Sequence, residues 1–387
     1  MSIEPSGIAI TGLGLLSPFG MGRVVLWEAL LTMGLSSPSD VETNCLFKVI
    51  DDTLPEAILG PKNLRSLSRE SRFAVSAAVL ALQDAHWTES CCRGHELGVA
   101  MGTAYSGHHE FSQASALVIG GKAQFVNPAR TPEAGYNAPA SHISIRTNAQ
   151  GLNVTLASGY SSAFEAMRLG MEEIKAGRLK AILTGGVDVL SKELMTAGAA
   201  YLATGNNFAL SEASVCLLLE GVHHARNRGA PIAALLKAAD VRYSPVEGKK
   251  LSDQLERMLR ECIAGAGLTP EDVDGVFVSS IGHGERHKAE AAAINRLFGS
   301  RMPICAIKAL VGECFAASGA LIASAAIIAL SKNMFPPKAL TSISSEWRPD
   351  LTLCNFDSNH FMRHVVVTQL DPTGFAGVLV LGAANGV

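Results

Sequence analysis

The stretch that most constrains this chain is Gly151-Leu-Asn-Val-Thr-Leu-Ala-Ser-Gly-Tyr160-Ser-Ser-Ala-Phe-Glu-Ala-Met167. The alternation of Val154 and Leu156 with small or polar neighbours predicts a short strand. Ser158-Gly159 predicts a tight turn, and Ala163 to Gly177 a helix behind it. Enzymes built of strands and helices mount a nucleophile on such an elbow. The turn projects one side chain, and the helix N-terminus supplies amides and positive dipole. The projecting position here is Tyr160, a phenol with an ordinary pKa of about 10 and a poor nucleophile.

The chain has 387 residues, more than the roughly 250–300 at which one core stops growing, so two lobes are expected. It is 48% hydrophobic and only 17% charged, against about 25% charged for an average soluble protein. Such a chain buries a large core, covers some of its surface with a partner, or both. The net charge of −3 and pI near 6.4 come with no long basic run, which excludes a nucleic-acid partner. The longest apolar stretch, Ala316 to Leu330, is rich in Ala and Ser and short of the roughly 18 residues that span a bilayer. A buried helix is the expectation there. The first residues, Met-Ser-Ile-Glu-Pro, lack a basic secretory pattern, and the eight Cys show no paired spacing. Reduced thiols in a cytoplasm follow. His108-His109 and His223-His224 lack a third ligand at metal spacing, so no metal or other cofactor is expected.

Along the chain, Gly7 to Gly20 reads as a buried strand and a glycine-rich turn. Gly12-Leu-Gly14 has no third Gly at dinucleotide-binding spacing, and Pro18 breaks the helix start. Helices are predicted at Trp27–Met33, Arg69–His86, within Tyr105–Gly121, and at Ala138–Asn148. Residues 36–62 read as irregular. Strands are predicted at Leu97–Gly102, Ala181–Asp188 and Ala213–Leu219. After a break at Gly221–Gly229 the alternation restarts. Strands at Ile232–Val241, Val273–Ser280, Pro303–Ile307, His364–Gln369 and Val378–Gly382 enclose helices at Leu251–Gly267, Ala289–Phe298 and Ala316–Leu330. The second half echoes the first. The expected fold is α/β, with two duplicated halves, residues 1–225 and 226–387, packed sheet to sheet around shared helices.

Taken together and in order, several segments resemble the β-ketoacyl synthase family of the thiolase fold over nearly the whole chain. They are Ile8-Ala-Ile-Thr-Gly-Leu-Gly, the elbow Gly151–Met167, Leu183-Thr-Gly-Gly-Val-Asp, Val276 to Glu290, Lys308-Ala-Leu-Val-Gly and Gly374-Phe-Ala-Gly377. The resemblance implies a five-layer αβαβα architecture. An active member carries an acyl group on an elbow Cys, while two His promote decarboxylation of the extender and stabilise the enolate. On this alignment the Cys position is Tyr160, the first His position Ile281 and the second Glu313; the family's Lys is retained as Lys308. Isoleucine can neither donate nor accept a proton, and a carboxylate at 313 would repel a malonyl carboxylate. Three losses together argue against condensation.

The resemblance is therefore to the chain-length factors, the non-catalytic subunits of type II polyketide synthases, although most of those carry Gln where this chain has Tyr160. It implies a heterodimer with a Cys-bearing ketosynthase, and an acyl carrier protein that brings the chain. Neither a nucleic acid nor a membrane span is implied. Residues 151–158, with Val154 and Leu156, would continue the partner's sheet. The segment His109–Val118 would cap the partner's acyl tunnel, with Phe111 as its one large plug and Ser112, Ser115 and Ala116 as small liners that leave it fairly long. The product class, aromatic polyketide or polyene, is not legible. The alternative is an enzyme of this fold with rearranged catalytic residues, His283 and Cys314. A serine hydrolase using Ser161 or Ser162 lacks the Gly-x-Ser-x-Gly turn and a matching His/Asp pair.

Overall fold

The computed structural model describes residues 7–32, 47–62, 64–202, 208–243, 247–279, 284–299, 302–336 and 361–384. Ile281 and His283 lie outside the described residues.

Ten strands carry the fold. Five belong to the first half: β1 (Ile8–Ser17), β2 (Leu97–Gly102), β3 (Asn153–Leu156), β4 (Ala181–Asp188) and β5 (Ala213–Gly221). Five belong to the second: β6 (Ala234–Tyr243), β7 (Gly275–Phe277), β8 (Ile304–Cys305), β9 (His364–Leu370) and β10 (Phe375–Gly382). Their spatial order is β3-β2-β4-β5-β1-β6-β10-β9-β7-β8. Each half thus runs third, second, fourth, fifth, first, and within each half only the fifth strand runs antiparallel to the other four. The duplication seen as an echo in the sequence is a repeat of topology. The halves join where Ile8–Ile10 of β1 runs antiparallel to Ala234–Leu236 of β6.

The principal helices are α1 (Gly22–Thr32), α2 (Arg69–Asp84), α3 (His108–Ile119), α4 (Ala138–Thr147), α5 (Ser162–Lys175), α6 (Lys192–Leu202), α7 (Gly248–Gly265), α8 (Glu285–Phe298) and α9 (Ala316–Lys332). α2 and α4 cover the outer face of the first sheet, and α7, with α8 beside it, covers that of the second. α5 and α9 lie between the two sheets and touch both. The result is the five-layer αβαβα sandwich of the thiolase fold.

Composition explains the central layer. α9 is buried on every face from Ala316 to Leu330. Its alanines favour helix and let both sheets approach closely. Its large aliphatics, such as Leu321, Ile322 and Ile327, each contribute about 2 kcal/mol by burial. Lys332 in the last turn favours the dipole, and Asn333 ends the helix at φ 50°. An aspartate at Ile322 would break this layer.

The Gly12-Leu-Gly14 pair has a packing role. A Cβ at Gly12 would sit 2.1 Å from the Ala81 carbonyl oxygen, and one at Gly14 would sit 1.9 Å from that of Ala77. These glycines let α2 lie directly on β1, and Ser68 caps α2 by accepting the Ser71 N–H at 3.2 Å.

Some boundaries differ from the sequence reading. Residues 36–62 are not wholly irregular: Phe47–Lys48 pairs with Leu210–Ser211, and Leu54–Leu59 is a helix begun by Pro55. The expected break at Gly221–Gly229 contains a helical turn, Val222–Asn227. α1 and α8 start earlier than expected, at Gly22 and Glu285, each at a glycine with positive φ that turns the chain into the helix.

Candidate functional site: a filled elbow

β3 ends at Leu156, and Gly159 makes the turn with φ +86°. A Cβ at Gly159 would sit 2.2 Å from Asp371 Oδ2. Asp371 lies in the turn between β9 and β10, where its Oδ1 accepts the Thr373 N–H and hydroxyl at 2.5 Å each. Its Oδ2 accepts the Tyr160 N–H. The elbow of the first half is therefore held by the terminal hairpin of the second. Ser162 completes the turn, accepting the Ser158 N–H at 3.0 Å and donating to the carbonyls of Gly159 and Thr103 at 2.5 and 3.2 Å.

Tyr160 projects from this turn and is half-buried. Its ring stands edge-on to Phe315, with centroids 5.5 Å apart at 76°. Tyr105 packs on the same Phe315 at 5.0 Å and 82°. The two tyrosine hydroxyls lie beside each other. Burial pushes the Tyr160 phenol far above its ordinary range, and the Glu313 carboxylate pushes it further. It stays protonated. Among the described residues no thiol, imidazole or activated hydroxyl stands at the elbow.

Glu313 is buried, and its environment corrects the expectation of repulsion. Its Oε2 lies 2.6 Å from Lys308 Nζ, and both side chains are under a tenth exposed. Its Oε1 accepts the Ser318 hydroxyl at 2.7 Å and the Phe315 N–H at 3.0 Å. The carboxylate is neutralised by the retained lysine and caps the start of α9. It offers no proton to an enolate, because it is committed rather than because it is a free negative charge. Phe315 is held at φ 55°, ψ −126°, a region costly for a bulky side chain. Fully buried Asp188 at the end of β4 fixes the other wall. It accepts the Thr103 hydroxyl at 2.9 Å and the N–H groups of Tyr105 and Ala316 at 2.8 Å each. Burial pushes its carboxyl up to about 7, against those donors.

The structure brings Tyr160, Glu313 and Lys308 into one site. Cys314 is fully buried and faces away: its Sγ lies 3.9 Å from the Gly312 carbonyl, and burial pushes the thiol up to about 12. Ser161 Oγ is buried with no hydrogen-bond partner, and neither it nor Ser162 meets a histidine among the described residues. His109 pairs with Glu193 at 2.9 Å, and His224 bridges Glu220 at 2.7 Å and the Cys91 carbonyl at 2.9 Å. Sequence reasoning missed Tyr105, Phe315 and Asp371. The only available signal was Asp188 at the end of Leu183-Thr-Gly-Gly-Val-Asp, which marks where the loop bearing Tyr105 is tied down.

The proposed interface residues lie on β3 itself and on α3. Val154 and Leu156 are half-buried in β3, which among the described residues has a neighbouring strand on one side only. On α3, Ser112 and Ser115 are half-buried, Ala116 is exposed, and Phe111 is 62% exposed. Phe111 therefore plugs nothing within this chain. With Val118, Ile119, Phe125, Tyr136 and Ile145 it forms an exposed apolar set.

A fold of two topologically repeated halves around an elbow, a lysine loop and a glycine-rich hairpin defines a ketoacyl-synthase architecture. The models for the N-terminal and C-terminal domains of β-ketoacyl synthase match residues 35–221 and 238–341, and the chain belongs to this family. Over 383 residues it is 29% identical to the actinorhodin polyketide β-ketoacyl synthase 2 of Streptomyces coelicolor, covering 89% of this chain and 91% of that one. The ishigamide ketosynthase/chain length factor superposes with a TM-score of 0.85 at 20% identity, covering 98% of this chain and 100% of that one. A type II polyketide synthase acyl-carrier protein in complex with its ketosynthase bound to the hexaketide gives a TM-score of 0.81 at 19% identity, covering 99% and 100%. These structures establish the shared fold. No described helix is long and apolar enough to cross a membrane.

Proposed function

We propose that this chain is the chain-length-factor subunit of a type II polyketide synthase, one that pairs with a Cys-bearing ketosynthase and does not itself condense acyl chains. The observation that carries this is the filled elbow. Tyr160 is packed with Tyr105 on Phe315, while Glu313 is consumed by Lys308 and the start of α9. The open edge of β3 and the exposed apolar side chains of the first half support a large partner surface. The relatives named above support a polyketide setting and an acyl carrier protein as the source of the chain; a cytoplasmic location is part of the proposal. The division at residues 225/226 is kept, supported by the repeated strand order on either side of it. The reading with Cys314 as a relocated nucleophile requires a buried, protonated thiol to act, which the geometry disfavours.

The test is reconstitution. The isolated chain given malonyl-loaded carrier protein should form no acyl-enzyme by intact mass and release no condensed product; with a ketosynthase partner, product should appear. Condensation by the homogeneous isolated chain would sink the proposal. Tyr160→Cys alone should stay inactive, because Glu313 remains committed. In the heterodimer, Ser112→Trp or Ala116→Trp should shorten the product; unchanged length at both positions removes α3 from the tunnel.

A further inference from the structure

A cleft of about 370 Å³ opens at the N-terminus of α2, away from the elbow, between that helix, the first turn of α3 and the start of α6. Its apolar wall includes Leu67, Phe73, Val189 and Leu190. At its floor lies Glu70, only 4% exposed. Apart from its own backbone N–H, no group among the described residues hydrogen-bonds or pairs with the Glu70 carboxyl. A buried carboxyl without a partner is costly and requires a reason.

The charges around it are committed elsewhere, with two exceptions. Arg69 turns to Glu212 and Asp52. Arg130 pairs with Glu110, and His109 with Glu193. Arg72 donates only to the carbonyls of Leu64 and Leu67, at 2.8 and 3.2 Å. Exposed Lys192, on the rim, has no acidic partner among the described residues. Arg72 and Lys192 are thus positive charges facing the cleft without a carboxylate. Burial pushes the Glu70 carboxyl up to about 7, so below that pH it mostly carries a proton to donate.

We propose that this cleft binds a small carboxylate: the Glu70 acid donates a hydrogen bond to the ligand's carboxylate, the Lys192 ammonium closes on its charge, and the apolar wall takes its carbon tail. An ammonium ligand is disfavoured, because it would meet Arg72 and Lys192.

The probe is sodium butyrate, titrated into the full chain and followed by saturation-transfer NMR and calorimetry at pH 6 and pH 8. Binding is expected at pH 6 and should be about tenfold weaker at pH 8, as a group titrating near 7 passes from mostly protonated to mostly ionised. Glu70→Gln keeps a donor but removes the titration, so the affinities at the two pH values should converge. Lys192→Ala should weaken binding roughly threefold to fivefold, and Arg178→Ala, far from the cleft, should change nothing. Should Glu70→Gln fail to fold, the wild-type pH dependence and the Lys192→Ala arm still decide. Absence of binding at pH 6, equal affinity at both pH values, or preferential binding of butylamine overturns the proposal.

Discussion

The two halves share one topology, yet their third strands have opposite fates. β3, in the first half, is an edge whose residues are exposed or half-buried, and the helix after it, α5, keeps Arg168 and Glu172 paired at the surface. β8, in the second half, is fully buried, and α9 behind it carries no charge before Lys332. The same element is thus partly exposed in one copy and buried in the other. Duplication supplied the scaffold, and side-chain polarity decided which copy faces outward.

The strongest way to break the comparison is to place one charge in each strand. Cys305→Asp should yield no soluble folded chain, because a buried unpaired carboxylate costs several kcal/mol. Val154→Asp should leave the far-UV circular dichroism and the melting of the isolated chain nearly unchanged while abolishing co-purification with the ketosynthase. If Val154→Asp also unfolds the chain, β3 is core and the contrast is false.

The committed ion pair comes next. Glu313→Ala leaves Lys308 buried and uncompensated, and should cost about 3–5 kcal/mol in urea unfolding. Adding Lys308→Met should recover much of that. A loss under about 1 kcal/mol would mean that water already reaches the pair.

A third prediction concerns acid. Glu133 is buried and accepts hydrogen bonds from His142, the Ser68 N–H and the Ser71 hydroxyl, which hold its carboxyl down to about 2 despite its burial. A depressed carboxyl stabilises the fold above its unfolded value, about 4.3, and that contribution disappears as pH falls toward 2. It amounts to about 3 kcal/mol. Glu133→Gln should therefore flatten the stability profile between pH 4.5 and pH 2, measured by thermal melts. An unchanged acid limb would show that the α2–α4 corner does not set acid stability. The smallest effect is Tyr160→Phe, which removes only the hydroxyl beside that of Tyr105 and should cost no more than about 1 kcal/mol; a larger loss would mean that the hydroxyl holds the plug together.

Much of this was legible in the sequence because period and small-residue turns are local signals. The strands β2 and β4 and the elbow follow directly from such patterns, and Tyr160 and Glu313 could be placed by their motifs. Phe315 could not. Its left-handed φ is imposed by the chain turning between Glu313 and α9, and nothing in Cys314-Phe315-Ala316 announces it. Asp371 was invisible for a different reason: its partner, Tyr160, is far away in sequence, and no local pattern links a hairpin turn to a distant elbow. The charge of Glu313 was misjudged on the same account, since the sequence shows a carboxylate near a lysine but not that they meet.

The seam between the halves bears on how the chain is made. Thr11 of β1 is hydrogen-bonded to the Leu218 carbonyl of β5, 207 residues away, and β1 also pairs with β6 beyond it. During synthesis at about 5–20 residues per second, β1 therefore leaves the ribosome at least ten seconds or so before either neighbour exists. Its ten residues are all apolar, Gly, Thr or Ser, and apart from Leu16 and Ser17, which pair with Met21 and Gly20, they stay unpaired for that interval. Heterologous production should thus depend on translation speed and on chaperones that shelter nascent chains, more than the compact final fold would suggest.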